Sequence, residues 1–296
     1  MLLISTLKFI VSHPLNQSNK IGAVARFVKW QIGSRLMPGD MVYPWINGAK
    51  FLVRRGETGL TGNIYAGLHE FVDMAFLLHY IRPDDLFVDI GANVGSYTVL
   101  ACAAAGASGV AFEPVPQTYR RLVENIRINN IQDRVEFVNK GVGDKKGSVA
   151  FSSDLDTTNH ALAPDEQRNS AIPVDLVILD DFLGDKKPDM LKIDVEGYET
   201  LVLRGAGRIL SDKQLNAVIM ELNGSGGRYG FDELEILSLM LEYGFKTYSY
   251  DPFKRTLVNL KGKNLKEGNT LFLRNVPLVQ DRIHNAQSIT INGVSF

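Results

Sequence analysis

The chain has 296 residues, 45% apolar and 22% charged, ordinary globular proportions for one large domain or two modest ones. Its 32 Lys and Arg against 33 Asp and Glu leave a formal net charge of -1, which carries no footprint of general nucleic-acid binding, so no nucleic-acid partner is expected. One cysteine, Cys102, excludes an internal disulfide and a cysteine-rich zinc site; in the run LACAAAG it reads as a buried helix residue.

The opening MLLISTLKFIVSH is apolar, but Lys8 interrupts it, no basic segment precedes it and no small-residue cleavage site follows. It is also shorter than the ~20 apolar residues that span a bilayer. The expectation is an amphipathic helix packed on the domain, no transmembrane segment and a cytoplasmic location. Residues 1–80 read as a helical and irregular extension, ending in a helix marked by Phe71, Met74, Ala75, Leu78 and Ile81 and broken at Pro83.

From Leu86 the pattern changes to short apolar runs alternating with amphipathic segments. Leu86 to Ile90 reads as a strand, Gly91 to Gly95 as a glycine turn, and Ser96 to about Ala105 as a helix stopped by Gly106. Val110 to Glu113 and Val135 to Val138 read as strands, separated by a helix carrying Tyr119, Leu122, Val123 and Ile126. Val149 to Phe151 is a short strand candidate, and polar residues 153–171 form a long surface loop. Strands follow at Val174 to Leu179, Met190 to Asp194 and Ala217 to Leu222, with a helix over Thr200 to Ile209. A glycine-rich loop then leads to a helix with a capping box at Asp232 and Glu235 and a stop at Gly244. Lys246 to Tyr250 and Thr270 to Arg274 suit an antiparallel pair at the sheet edge.

This alternation predicts an α/β fold: a doubly wound, Rossmann-like, mostly parallel sheet with an antiparallel C-terminal pair and an N-terminal helical segment. The domain reading is an extension over 1–80, a core over 81–276 and a tail over 277–296.

Three motifs carry chemistry. In Phe87-Val-Asp-Ile-Gly-Ala-Asn-Val-Gly-Ser-Tyr97 a buried strand ends at Asp89 and turns through Gly91 and Gly95 into a helix. Ligands bind at such carboxyl ends. Asn93 and Ser96 occupy the second and third glycine positions of the dinucleotide fingerprint, which weighs against NAD. An aspartate there can pair with the ammonium of an amino-acid moiety. Glu113, ending the next strand, can accept both hydroxyls of a ribose. In Leu191-Lys-Ile-Asp-Val-Glu-Gly-Tyr-Glu199, Asp194 and Glu196 should project toward the same end of the sheet.

Taken in order, DIGANVGSYT, AFEPVPQTYRRLVENI, VILDDF and LKIDVEGYE resemble the FkbM family of S-adenosylmethionine-dependent methyltransferases over roughly residues 60–250. The resemblance implies a class I methyltransferase fold and O-methylation of a small-molecule or saccharide acceptor. It implies S-adenosylmethionine contacts along Asp89, Gly91, Ala92, Asn93, Gly95 and Ser96, with Glu113 and Pro114 at the ribose. It also places Tyr65, in Gly62-Asn-Ile-Tyr65, and Glu70, in His69-Glu70, over the cofactor pocket.

An alcohol acceptor must lose a proton, and a base within hydrogen-bond reach helps. Asp194, at a strand end, and His160, in the polar loop, are the candidates. Asp194, Glu221 and Asn223 could together hold a hard divalent cation, as in catechol-type methyltransferases, and metal need stays open. Asp180 and Asp181 are either supports for Lys192 and Asp194 or helix caps. Gly224 to Gly230 reads as a hinged lid over the acceptor. Rival readings are a nucleotide-dependent oxidoreductase, a non-catalytic binding module and a nucleic-acid methyltransferase. Acceptor identity, acceptor atom (oxygen or nitrogen) and oligomeric state are open at this stage.

Overall fold

A computed structural model describes every residue except 1, 38, 164 and 267. In chain order the helices and strands begin with α1 (Leu2–Ser12), α2 (Lys20–Leu36), β1 (Met41–Pro44), β2 (Lys50–Val53), α3 (Thr58–Ala66) and α4 (Phe71–Tyr80). The alternating core follows with β3 (Leu86–Ile90), α5 (Ser96–Val99), β4 (Ser108–Phe112), α6 (Pro116–Ile128) and β5 (Val135–Val138). Next come β6 (Gly141–Gly143), β7 (Gly147–Phe151), β8 (Ile172–Ile178), α7 (Leu179–Leu183) and β9 (Met190–Ile193). The chain continues through α8 (Glu199–Arg204), α9 (Gly207–Ser211), β10 (Ala217–Glu221), α10 (Glu233–Glu242), β11 (Lys246–Asp251), β12 (Thr256–Asn259), β13 (Asn269–Leu273) and α11 (Val276–His284).

Eight strands form one sheet in the order β12-β11-β13-β10-β9-β3-β4-β5. Strands β10, β9, β3, β4 and β5 are parallel neighbours, while β13 runs antiparallel between β10 and β11. The order reverses at β3, with β4 on one side and β9 on the other, and such switch points leave a crevice at the strand carboxyl ends. The predicted C-terminal pair is present as β11 and β13, but it is not the edge: β12 hairpins back onto β11 and covers it. Three shorter strands, β6, β8 and β7, form a second sheet.

Alternation along the strands sorts side chains into two layers. Phe87, Met190, Ala217 and Ile219 face α4 and α11, while Val88, Leu191, Val218 and Met220 face α8, α9 and α10. Phe87 and Phe112 are essentially fully buried, each worth roughly 1.5–3 kcal/mol of burial. Cys102 is completely buried at the end of the helical run after the glycine turn, its Sγ so close to Gly109 that an added Cβ would sit 2.7 Å away. Burial pushes its thiol up to about 12.

Several details depart from the sequence reading. The helix expected over Thr200 to Ile209 is two short helices, because Gly205 passes so near Gly143 that a Cβ would lie 2.2 Å from its carbonyl oxygen. Asp232 does cap α10, accepting from the Leu234 amide at 2.9 Å, but Glu235 turns to Arg204 at 3.6 Å instead of closing a capping box. The extension contains the β1–β2 hairpin as well as helices. It is stitched to the core by Asn125, which accepts from the Leu52 amide at 2.7 Å and donates to the Val94 carbonyl at 2.8 Å. Beyond residue 276, α11 buries Val279 and Ile283 against α4, and Phe296 packs on Phe71 with ring centroids 5.1 Å apart.

Candidate active site

The carboxyl ends of β3, β4, β9 and β10 open on a cavity of about 430 Å³. That volume lies within the range of small-molecule sites.

Its floor is the turn after β3. Gly91 has φ +81°, and a Cβ there would fall 1.8 Å from the Asp194 carbonyl oxygen, so only glycine lets β3 and β9 meet. The Gly91 and Ala92 amides both donate to the Phe112 carbonyl, at 3.0 and 2.8 Å, which locks the turn against β4. Asn93 and Gly95 also take positive φ, and a Cβ at Gly95 would strike Leu122 at 2.7 Å. Asp89 is buried and accepts from the Thr98 hydroxyl at 2.6 Å. Burial raises its carboxyl to about 6, with the Thr98 hydrogen bond pulling the other way.

Glu113 stands just past β4 with each oxygen on a backbone amide: Asn93 donates to Oε2 and Val115 to Oε1, both at 2.9 Å. Burial lifts its carboxyl to about 7 although both amides favour the charged form. Gly91, Ala92, Asn93, Ser96, Glu113 and Pro114 all line the cavity. Across it, Glu70 accepts from the Tyr97 hydroxyl at 2.8 Å and from the Asn269 amide at 3.0 Å.

The opposite end is built from side chains. Lys192, 2% exposed, donates from Nζ to Asp194 Oδ2 at 2.9 Å and lies 5.2 Å from the centre of the Tyr97 ring. Burial opposes its charge, but the neighbouring Asp194 and Glu70 carboxylates outweigh that and hold its pKa above the ordinary lysine value. Asp194, Glu196 and Glu221 each bring a carboxylate oxygen within 4.8 Å of the others. Burial, then the charges of Asp194 and Glu196, raise Glu221 to about 9, so the group holds a proton at neutral pH. Glu199 fixes the loop that presents them, accepting from the Val195 and Gly197 amides at 3.3 and 3.1 Å.

Two candidate site residues, His160 and Tyr65, fall outside the cavity lining. His160 is buried with its ring held between the Thr158 carbonyl, 2.9 Å from Nδ1, and Glu166, 3.1 Å from Nε2; both nitrogens are engaged and the ring does not line the cavity. Tyr65 lies behind the site, edge-on to Phe27 and accepting from Gln31 at 3.1 Å, because it is on the α2 side of α3. Asn223 sits beside the acidic group, its Nδ2 donating to Glu221 at 3.0 Å and its Oδ1 accepting from the Ser225 amide at 2.9 Å, and Glu196 joins Asp194 and Glu221 there. Of the two readings for Asp180 and Asp181, the cap holds for Asp180, which accepts from the Arg208 and Ile209 amides at the start of α9, while Asp181 pairs with Lys146.

The polar loop is more ordered than its composition suggests, bridging Phe151 to Ala161 and lining the cavity with Thr157, Thr158 and Asn159. Residues Ser225–Tyr229 form a short 3-10 turn, and Tyr229 donates to the Ala161 carbonyl, joining the glycine-rich loop to it. Sequence reasoning missed Tyr97 and Asn269, which carry no local signal, since only the sheet brings them to Glu70. It also missed Asn63, whose buried Nδ2 in the cavity wall has no partner among the described residues.

A sheet of this order, with a glycine turn after one strand and a carboxylate closing the next, is the architecture of the class I methyltransferases. More narrowly, the chain belongs to the FkbM methyltransferase family: residues 89–247 match the methyltransferase FkbM domain. It is 31% identical over 186 residues to Methyltransferase 1 of Beauveria bassiana, spanning 54% of this chain and 73% of that one. It is 29% identical over 176 residues to the hexuronic acid methyltransferase AglP of Haloferax volcanii, spanning 58% of this chain and 67% of that one. Among solved structures, a SAM-dependent methyltransferase from Agrobacterium tumefaciens aligns with a TM-score of 0.44 at 10% identity, covering 80% of this chain and 70% of that one.

Proposed function

We propose that the cavity binds S-adenosylmethionine and that the enzyme methylates a hydroxyl of a saccharide or other small molecule. The observation that carries this reading is Glu113, a buried carboxylate oriented by two backbone amides beside the Gly91 turn. Amides occupy one direction at each oxygen, and the remaining lone pairs suit a ribose diol. The unpartnered Asn63 amide offers a further donor to a bound ligand. Asp89, Gly91, Ala92, Asn93, Gly95, Ser96 and Pro114 would hold the remainder of the cofactor, which when bound supplies an electrophilic methyl group.

The chain's own part is position and proton handling. Lys192 orients Asp194, the group that would receive a proton from an acceptor hydroxyl. Glu70 and Tyr97 wall the cavity on the α4 side. The hexuronic acid in the name of the Haloferax relative supports a saccharide as the acceptor.

Calorimetric titration with S-adenosylhomocysteine, with NAD and an Asp89→Ala variant as controls, tests the reading. Saturable binding lost in the variant is expected, and binding of NAD alone would overturn it.

A further inference from the structure

Outside the cavity, the molecule's most unusual surface is α2. Its buried side consists of Ala23, Phe27, Trp30 and Ser34. Its opposite side exposes Ile21 at 86%, Val28 at 45%, Ile32 at 55% and Leu36 at 75%, with exposed Ala25 among them. These positions are four, seven, eleven and fifteen residues beyond Ile21, which is the spacing of one continuous helical stripe. A helix apolar on both sides, one docked and one facing water, is not explained by the fold of one chain.

Charge says what covers it. The first 39 residues hold five of the chain's Lys and Arg and none of its 33 Asp and Glu, although the chain as a whole is close to neutral. Lys20, Lys29 and Arg35 are exposed and flank the stripe, and Lys8 is exposed on α1, which packs against α2. An apolar stripe bordered by cations, with no anion on its element, is the pattern of a helix lying in a lipid headgroup layer. Pairing α2 with the same helix of a second copy would instead bring its cations together.

We propose that α2 is a membrane-surface docking helix that seats this enzyme on bilayers rich in anionic phospholipid. Among the described residues no helix is long and apolar enough to cross a membrane, so the contact is peripheral and reversible. α2 backs onto α3, whose Gly59 and Asn63 line the cavity, so docking brings the cavity wall toward the lipid surface.

The test is co-sedimentation of the full chain with phosphatidylcholine vesicles, with and without phosphatidylserine at about one lipid in three. Binding is expected only with phosphatidylserine, and it should weaken as salt shortens the screening length. A Val28→Glu, Ile32→Glu double variant should bind at least about ten-fold more weakly. Replacing Lys20, Lys29 and Arg35 with Gln should cost roughly five-fold per residue. Leu234→Glu, an exposed apolar position on α10, should change nothing. Thermal midpoints matching the parent's establish that the variants fold. Equal sedimentation with both vesicle types, no sedimentation, or stripe variants that bind like the parent would overturn the proposal. So would a concentration-dependent dimer that the double variant dissociates, which would assign the stripe to a second copy.

Discussion

The two ends of the cavity are built on different principles. At the β3–β4 end, backbone does the work: Gly91 gives β9 room to approach, paired amides lock onto Phe112, and Glu113 takes an amide on each oxygen. At the β9–β10 end, side chains dominate, with Asp194, Glu196 and Glu221 crowded together and Lys192 supplying the buried counter-charge. Backbone geometry tolerates almost no substitution and so suits a cofactor that never changes. A side-chain cluster can be retuned residue by residue.

The contrast can be broken most forcefully at Gly91. Alanine there must adopt φ +81° and clash with Asp194, so Gly91→Ala should lose more than about 3 kcal/mol of stability and all cofactor binding. Thermal denaturation and calorimetry measure both, and a well-folded variant that binds normally would refute the backbone account. Glu113→Ala comes next. Loss of charged hydrogen bonds worth about 2–3 kcal/mol should weaken S-adenosylhomocysteine by roughly 30- to 150-fold. Because Glu113 sits near 7, the parent's affinity should rise as pH climbs through that value, and the variant's should not.

The smallest effect sharpens the other end. Glu221→Gln should change turnover at neutral pH by less than about ten-fold but remove the alkaline limb of the rate profile centred near 9. It should also affect stability. Asp89, Glu113, Glu199 and Glu221 all have folded pKa values raised by burial, to about 6, 7, 7 and 9. Each favours the fold fully below its unfolded value and loses that contribution as pH rises through its folded value. The melting temperature should therefore fall from pH ~5 to pH ~9, and the Gln variant should lose the uppermost part of that fall.

Much of this was legible in the residues. Leu86–Ile90 and Val135–Val138 match the expected strands to the residue: the first is a short run bounded by Asp85 and Gly91, the second alternates Val135 and Phe137 with Glu136 and ends at Asn139. Asp89, Gly91 and Glu113 were visible since spacing after a strand is a local property. What local pattern does not carry is orientation. His160 was plausible as a base from its loop, but Glu166 and Thr158 turn it aside. Tyr65 and Asn63 are neighbours on α3 that face different ways, a helical phase that the short segment does not reveal. Lys192 sits in an apolar strand, and its partner Asp194 lies two residues on along the same face.

The close seating of Cys102 against Gly109 gives the molecule an internal clock. This sole thiol is fully enclosed and held far from its reactive thiolate form, so an alkylating reagent meets it only when the crossover joining β3 to β4 opens. Its labelling rate therefore times the opening of the segment that carries the glycine turn, without any engineered probe.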